Sequence, residues 1–153
     1  MALADEIRRF TRVPLLAELD PEALRLLAFS AETKILQTGD TLFSADTASD
    51  GGYVVVSGSL TLEGPLASNQ KPRLAGPDTM VAELSLFAEL AYSSTAKARE
   101  TTTVLKIPRA LFHRVLGEFP DAALRVHRLL AKRLGIFAGD LERFAAGENV
   151  HQR

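Results

Sequence analysis

The apolar positions near the start of the chain fall at helical spacing. Asp20-Pro21 reads as an N-cap and first helical residue, with Glu22 behind it. Leu24, Leu27 and Ala28 then repeat with the period of one buried helix face, to an end near Ser30. Ala4–Arg9 predicts a shorter helix upstream. From Lys34 the period changes to that of strands: Lys34–Gln37, Thr41–Ser44, the β-branched and aromatic run Tyr53–Val56, and the alternating Ser59–Glu63. Turns are marked by Thr38-Gly39-Asp40, Ser57-Gly58 and Gly76-Pro77-Asp78, and loops by Asp46–Gly52 and Gly64–Pro72. Arg73–Ala75 reads as a short strand pairing back, and Thr95–Ala98 and Thr102–Ile107 as two more. Helical spacing returns after Pro108 with Leu111, Phe112 and Val115. It breaks at Glu118-Phe119-Pro120-Asp121 and resumes over about Asp121–Phe144. Gly135 and Gly139 each lower helix propensity there by about 1 kcal/mol relative to alanine, predicting a bend or fraying.

Helix, about eight short strands, then two helices is the order of a mainly β domain with flanking helices. Many short strands separated by turns predict a barrel or jelly roll. The last helix is too apolar to stand alone, so it packs on the barrel or on another subunit.

Composition narrows the function classes. A chain of 153 residues fits one domain, with 46% hydrophobic and 24% charged residues. The net charge of −1 gives no electrostatic footprint for nucleic acid or anionic membranes. The absence of cysteine excludes disulfides, thiol catalysis and zinc ribbons. No apolar run approaches the roughly 18 residues of a membrane span, and the N-terminus lacks a signal-peptide core. A cytoplasmic location is expected. The histidines, His113, His127 and His151, all fall in helical or terminal segments, so no metal site of the jelly-roll kind is expected. No nucleophile and base stand at a catalytic spacing, so no catalytic residue is assigned and the chain is read as a non-enzyme.

Val81–Ala98, VAELSLFAELAYSSTAKA, carries the most information. A glutamate sits in an apolar frame, followed by a turn and small hydroxyl residues that lead into a strand. With the turn Gly39-Asp40, the strand-turn-strand YVVVSGSLTLE and the closing FPDAALRVHRLLAKRL, this segment resembles the cyclic-nucleotide-binding domain family. Catabolite activator proteins, kinase regulatory subunits and channel regulatory domains belong to that family. The resemblance covers about residues 12–144 of a single domain spanning 1–153. It implies a double-stranded β-helix, a jelly-roll-like β-roll, with N-terminal helices, a short helix in the phosphate-binding cassette and two C-terminal helices. It also implies that backbone N–H groups at the cassette helix hold a cyclic phosphate, that a glutamate accepts from the ribose hydroxyl, and that an arginine pairs with the phosphate.

The family motif Phe-Gly-Glu-x-Ala-Leu appears here as Val81-Ala82-Glu83-Leu84-Ser85-Leu86. Glu83 is kept. Ala82 replaces the glycine and adds a methyl group where ligand oxygen approaches. The phosphate arginine falls nine residues after the glutamate, at Tyr92, six before the closing Ala98. Ser93 follows in a position of family type, and Ser94 replaces a common alanine. A tyrosine gives one neutral hydrogen bond and no charge, so the resemblance implies cyclic-nucleotide affinity lowered by roughly tenfold to a thousandfold. Lys97 and Arg99 are close in sequence but are not aimed at the phosphate by the cassette register. Arg133 falls where an arginine approaches the cassette glutamate, and Phe137 where a residue covers the base.

Two functions remain open at this stage. One is a regulatory sensor without a cofactor, whose cassette takes weakly held cAMP or cGMP or another small anionic ligand. The other is a ligand-free interaction or dimerisation module, with Tyr92 plugging the phosphate site and the last helix contacting a protein partner or a second copy. Regulators of the family continue into a helix-turn-helix, whereas only Ala145–Arg153 follow Phe144 here, so no DNA-binding domain is expected.

Overall fold

The computed structural model describes residues 2–64 and 71–145, with side chains described over 3–64 and 71–135. Helices α1 (Ala2–Phe10) and α2 (Pro21–Ser30) come first, separated by a 3-10 turn at Leu16–Glu18. Eight strands follow: β1 (Glu32–Leu36), β2 (Thr41–Phe43), β3 (Gly51–Ser57), β4 (Leu60–Glu63), β5 (Arg73–Ala75), β6 (Met80–Val81), β7 (Thr95–Ala98) and β8 (Thr102–Pro108). Helices α3 (Arg109–Glu118) and α4 (Pro120–Ala145) close the described chain. The mainly β roll with flanking helices is therefore the observed architecture. Most of the loop expected at Gly64–Pro72 lies outside the described residues.

The strands form two four-stranded sheets, ordered β1-β8-β3-β6 and β2-β7-β4-β5, with antiparallel pairing throughout. Strand β3, at the interior of the first sheet, is buried on both faces over Gly51–Val55, so Tyr53-Val54-Val55 reads as an unbroken apolar run, whereas the edge strand β1 is mostly exposed. Val54, Leu105 and Ile107 face the helices and join Phe10, Leu16, Leu27, Phe112 and Val126. Tyr53, Val55 and Val104 face the other way and meet Leu36, Phe43, Leu60, Ala96 and Ala98 of the second sheet. In β7 the alternation is complete: Ala96 and Ala98 are buried and Lys97 is exposed.

Gly58 turns β3 into β4 with φ +84°, and a Cβ there would meet the Thr101 carbonyl oxygen at 2.4 Å. Sterics and the left-handed conformation both require the glycine. Gly51 is required for a different reason. β3 and β8 approach so closely that a Cβ would stand 2.3 Å from the Ile107 carbonyl oxygen.

Three details depart from the sequence reading. Asp20 sits at the N-cap of α2 but makes no side-chain capping bond. Its carboxylate instead accepts from Arg125 Nη2 at 2.6 Å, tying α4 to the start of α2. The stretch Asp46–Gly52 is not wholly a loop, because β3 begins at Gly51. Helix α4 runs without interruption through Gly135 and Gly139. Two glycines lower its propensity, but neither introduces the steric clash or missing donor that would break the backbone ladder.

Candidate ligand-binding cavity

Strand β6 pairs with β3 at Tyr53 and Val54, and the chain then turns through Ala82. Ala82 has φ 59° and ψ 38°, the left-handed region that disfavours a side chain. Glu83–Leu86 form one 3-10 turn, closed by Ser85 N–H donating to the Ala82 carbonyl at 3.1 Å. Ser85 and Leu86 point into the protein, whereas Leu84 is exposed.

Arg109, at the start of α3, clamps this turn. Its Nε donates to the Ser85 carbonyl at 2.9 Å, and its Nη2 donates to the Ser49 carbonyl at 2.7 Å and to Ser49 Oγ at 3.1 Å. The second half of the cassette is held by its neighbours' backbone. Tyr92 N–H donates to the Thr47 carbonyl at 2.9 Å, and Asp46 N–H donates to the Tyr92 carbonyl at 2.8 Å. Ala91 bridges Ala48.

A cavity of about 500 Å³ opens against this segment, within the usual size range of small-molecule sites. The cassette residues Ala82, Glu83, Leu84, Ser85, Tyr92, Ser93 and Ser94 all line it. Phe43, Leu62, Arg73, Thr79, Met80 and Val81 are among the other residues of its wall. The two candidates on the last helix are placed differently. Arg133 Nη1 donates to Glu83 Oε1, joining α4 to the cassette. Phe137 lies in α4 but its side chain is outside the described residues. Neither Lys97 nor Arg99 lines the cavity; both side chains are exposed.

Tyr92 is buried, with 6% of its surface exposed. Its ring lies on Phe43 with centroids 4.0 Å apart and 13° between the planes. Phe43 in turn stacks on Tyr53 at 5.7 Å. Tyr92 is thus packed into the core between the sheets and forms part of the cavity wall. Burial, together with the neighbouring Tyr92 phenol, pushes the Tyr53 hydroxyl well above its ordinary pKa, so it stays neutral.

Sequence reasoning missed three contributors. Arg73 carries a readable signal: in the short strand Arg73–Ala75, alternation puts residues 73 and 75 on one face, and Ala75 is buried. Phe43 is an ordinary strand aromatic whose stacking partner is 49 positions away. Arg109 has no local signal, because its partners come from distant elements.

Comparison with known proteins agrees with this geometry. The family model described as "Cyclic nucleotide-binding domain" matches residues 33–119, and the chain belongs to that family. A cyclic nucleotide-binding-like protein of Brucella abortus is 34% identical, with a TM-score of 0.66 over 74% of this chain and 98% of that one. The N-terminal domain of a transcriptional regulator from Streptomyces coelicolor is 28% identical, with a TM-score of 0.78 over 87% of this chain and 94% of that one. Among curated proteins, a lysophospholipase of Neurospora crassa is 29% identical over 138 residues, which is 88% of this chain and 9% of the relative. The chain therefore spans about a tenth of the curated relatives it matches first. No described helix is long and apolar enough to cross a membrane.

Proposed function

We propose that this chain is a regulatory sensor domain whose cavity takes a small anionic ligand and whose affinity for cyclic nucleotides is low. The observation that carries the reading is Tyr92, which stands at the position of the family's phosphate arginine. Stacked on Phe43 and nearly buried, it offers the cavity a neutral wall. A phosphate beside it would lose a charge-assisted pair worth about 1.5–3 kcal/mol. Ala82 adds a methyl group to the same wall.

The Glu83–Arg133 pair supplies a route from ligand to output. A ligand hydroxyl that donates to Glu83 shares the carboxylate with Arg133 and changes the hold on α4. Binding then shifts the population of helix positions by the difference in affinity between them.

Calorimetric titration of cAMP and cGMP into the parent and into Tyr92→Arg tests this reading. The parent is expected to bind only at high micromolar concentration or above, and the variant to gain at least tenfold. Micromolar or tighter binding by the parent would sink the claim of impairment. A folded Tyr92→Arg that gains nothing would sink the claim that Tyr92 is its cause.

A second reading is a ligand-free dimerisation module using α4. Leu124 and Leu134 favour it, since each is about half exposed on that helix, at 51% and 49%. Its occupant would be a second copy of the chain. Sedimentation equilibrium of the parent and of Leu134→Glu decides it: a dimer that the substitution dissociates supports the reading, and a monomer excludes it.

A further inference from the structure

The cavity is chemically lopsided. Phe43 pairs with Ala96, Ala96 with Leu62, and Leu62 with Arg73, so one row of residues crosses the whole second sheet. Three strand spacings separate the ends of that row, about 14 Å. Phe43, Leu62 and Arg73 all line the cavity. One end of the row is aromatic and neutral, with Tyr92 lying on Phe43. The other is the open edge at β5, where Arg73 is exposed to solvent and to the cavity.

The charges of the wall agree with this division. Arg73 and Glu83 are its two ionic side chains among the described residues. Glu83 is engaged by Arg133, whereas no carboxylate of the described residues pairs with Arg73. Among the described residues the wall keeps one guanidinium with no carboxylate partner, on the side opposite the cassette tyrosine. Leu62, Met80 and Val81 give the wall apolar surface, beside the hydroxyl residues Thr79, Ser85, Ser93 and Ser94.

We propose that Arg73 is the anion-binding residue of this cavity. The ligand class is a small organic anion with a flat or compact apolar body. Its carboxylate or phosphate meets the Arg73 fork at the β5 edge. Its body lies over Leu62, Met80 and Val81 and reaches the Tyr92–Phe43 stack. The polarity is the reverse of a ligand anchored by its anion at the cassette. The inference rests on the proposal that the cavity is a ligand site, and adds where the charge is held.

Anilinonaphthalene sulfonate, an anion on a flat apolar body, is a suitable probe, and phenylnaphthylamine is its uncharged counterpart. Fluorescence titration of the full chain is expected to show one saturable site for the sulfonate. Arg73→Met should weaken that site about tenfold or more, and more in low salt than in high salt. Arg73→Lys should fall between, because a lysine keeps the charge and loses the fork. Arg99→Met, which removes an exposed charge outside the cavity, should change nothing, and phenylnaphthylamine should be indifferent to Arg73→Met.

The proposal is overturned if Arg73→Met leaves sulfonate affinity intact, if Arg99→Met costs as much, or if the parent shows no saturable sulfonate binding. Saturable phenylnaphthylamine binding alongside any of these results means that the cavity takes ligands but Arg73 does not hold their charge. If neither dye saturates and neither cyclic nucleotide gives heat, the ligand-site reading fails as well.

Discussion

Arg133 on α4 donates to the carboxylate of Glu83 in the cassette, joining residues 50 positions apart. Both side chains are partly exposed, so the pair is screened by solvent and its strength is modest. It joins the cavity wall to the helix that carries Leu124 and Leu134. Replacing Arg133 with methionine is expected to lower stability by no more than about 1 kcal/mol. It should also raise amide exchange in α4 near residue 133. Hydrogen exchange separates the two effects: unchanged protection in α4 would mean that the pair does not hold the helix.

Ala82 occupies a backbone conformation that costs an L-residue about 1 kcal/mol. Ala82→Gly relieves this, partly offset by the greater freedom of glycine in the unfolded chain. The expected net change is a gain of up to about 1 kcal/mol in urea denaturation. A clear loss would show that the Ala82 methyl group contributes packing that outweighs its strain.

Arg109 satisfies two carbonyls and a hydroxyl on Ser85 and Ser49, both buried residues. Arg109→Met leaves those acceptors without their donor and is expected to cost about 2–3 kcal/mol. Arg109→Lys should recover only part of this, because one ammonium cannot reproduce the planar fork. Thermal midpoints of the three proteins give the ranking directly.

Asp78 accepts from Arg12 and Arg9, and these partners hold its carboxyl below the usual carboxylate range despite some burial. Because the folded pKa is depressed, the stabilisation is present above the unfolded value near pH 4. It is lost as pH falls through the lower folded value. Asp78 also sits at φ 66°, a conformation asparagine tolerates. Asp78→Asn should therefore keep the turn while removing part of the stability lost between neutral pH and pH 3. Denaturant midpoints across that range check it, and identical pH slopes in parent and variant would refute it.

Gly51 shows a constraint of close approach rather than of backbone conformation. Gly51→Ala places a methyl group against the Ile107 carbonyl and is expected to cost about 3 kcal/mol or more. A near-neutral change in equilibrium unfolding would mean that β3 and β8 can separate at that end without loss.

Much of this fold was legible along the chain because its signals are local. Pro21 and Asp20 mark the start of α2, and the alternation in Thr95–Ala98 and the turn at Gly58 depend on neighbours within a few residues. The cassette was legible for the same reason: Ala82, Glu83, Ser85, Tyr92, Ser93 and Ser94 lie in one short segment, and all line the cavity. The role of Asp20 was not legible, since the choice between capping α2 and bonding Arg125 depends on a helix that starts a hundred residues later.

The sequence by itself determined the order of elements, the family and the absence of an arginine at position 92. Spacing and residue type suffice for these, because they are properties of consecutive positions. Tertiary structure decided where the Tyr92 ring lies. Packing of β2 against the cassette laid its ring on Phe43 at the cavity wall, an outcome set by side-chain shape and available volume. It also decided which cation faces that cavity. Strand register, fixed by pairing across the whole sheet, put Arg73 on the wall and turned the nearer-in-sequence Lys97 to solvent.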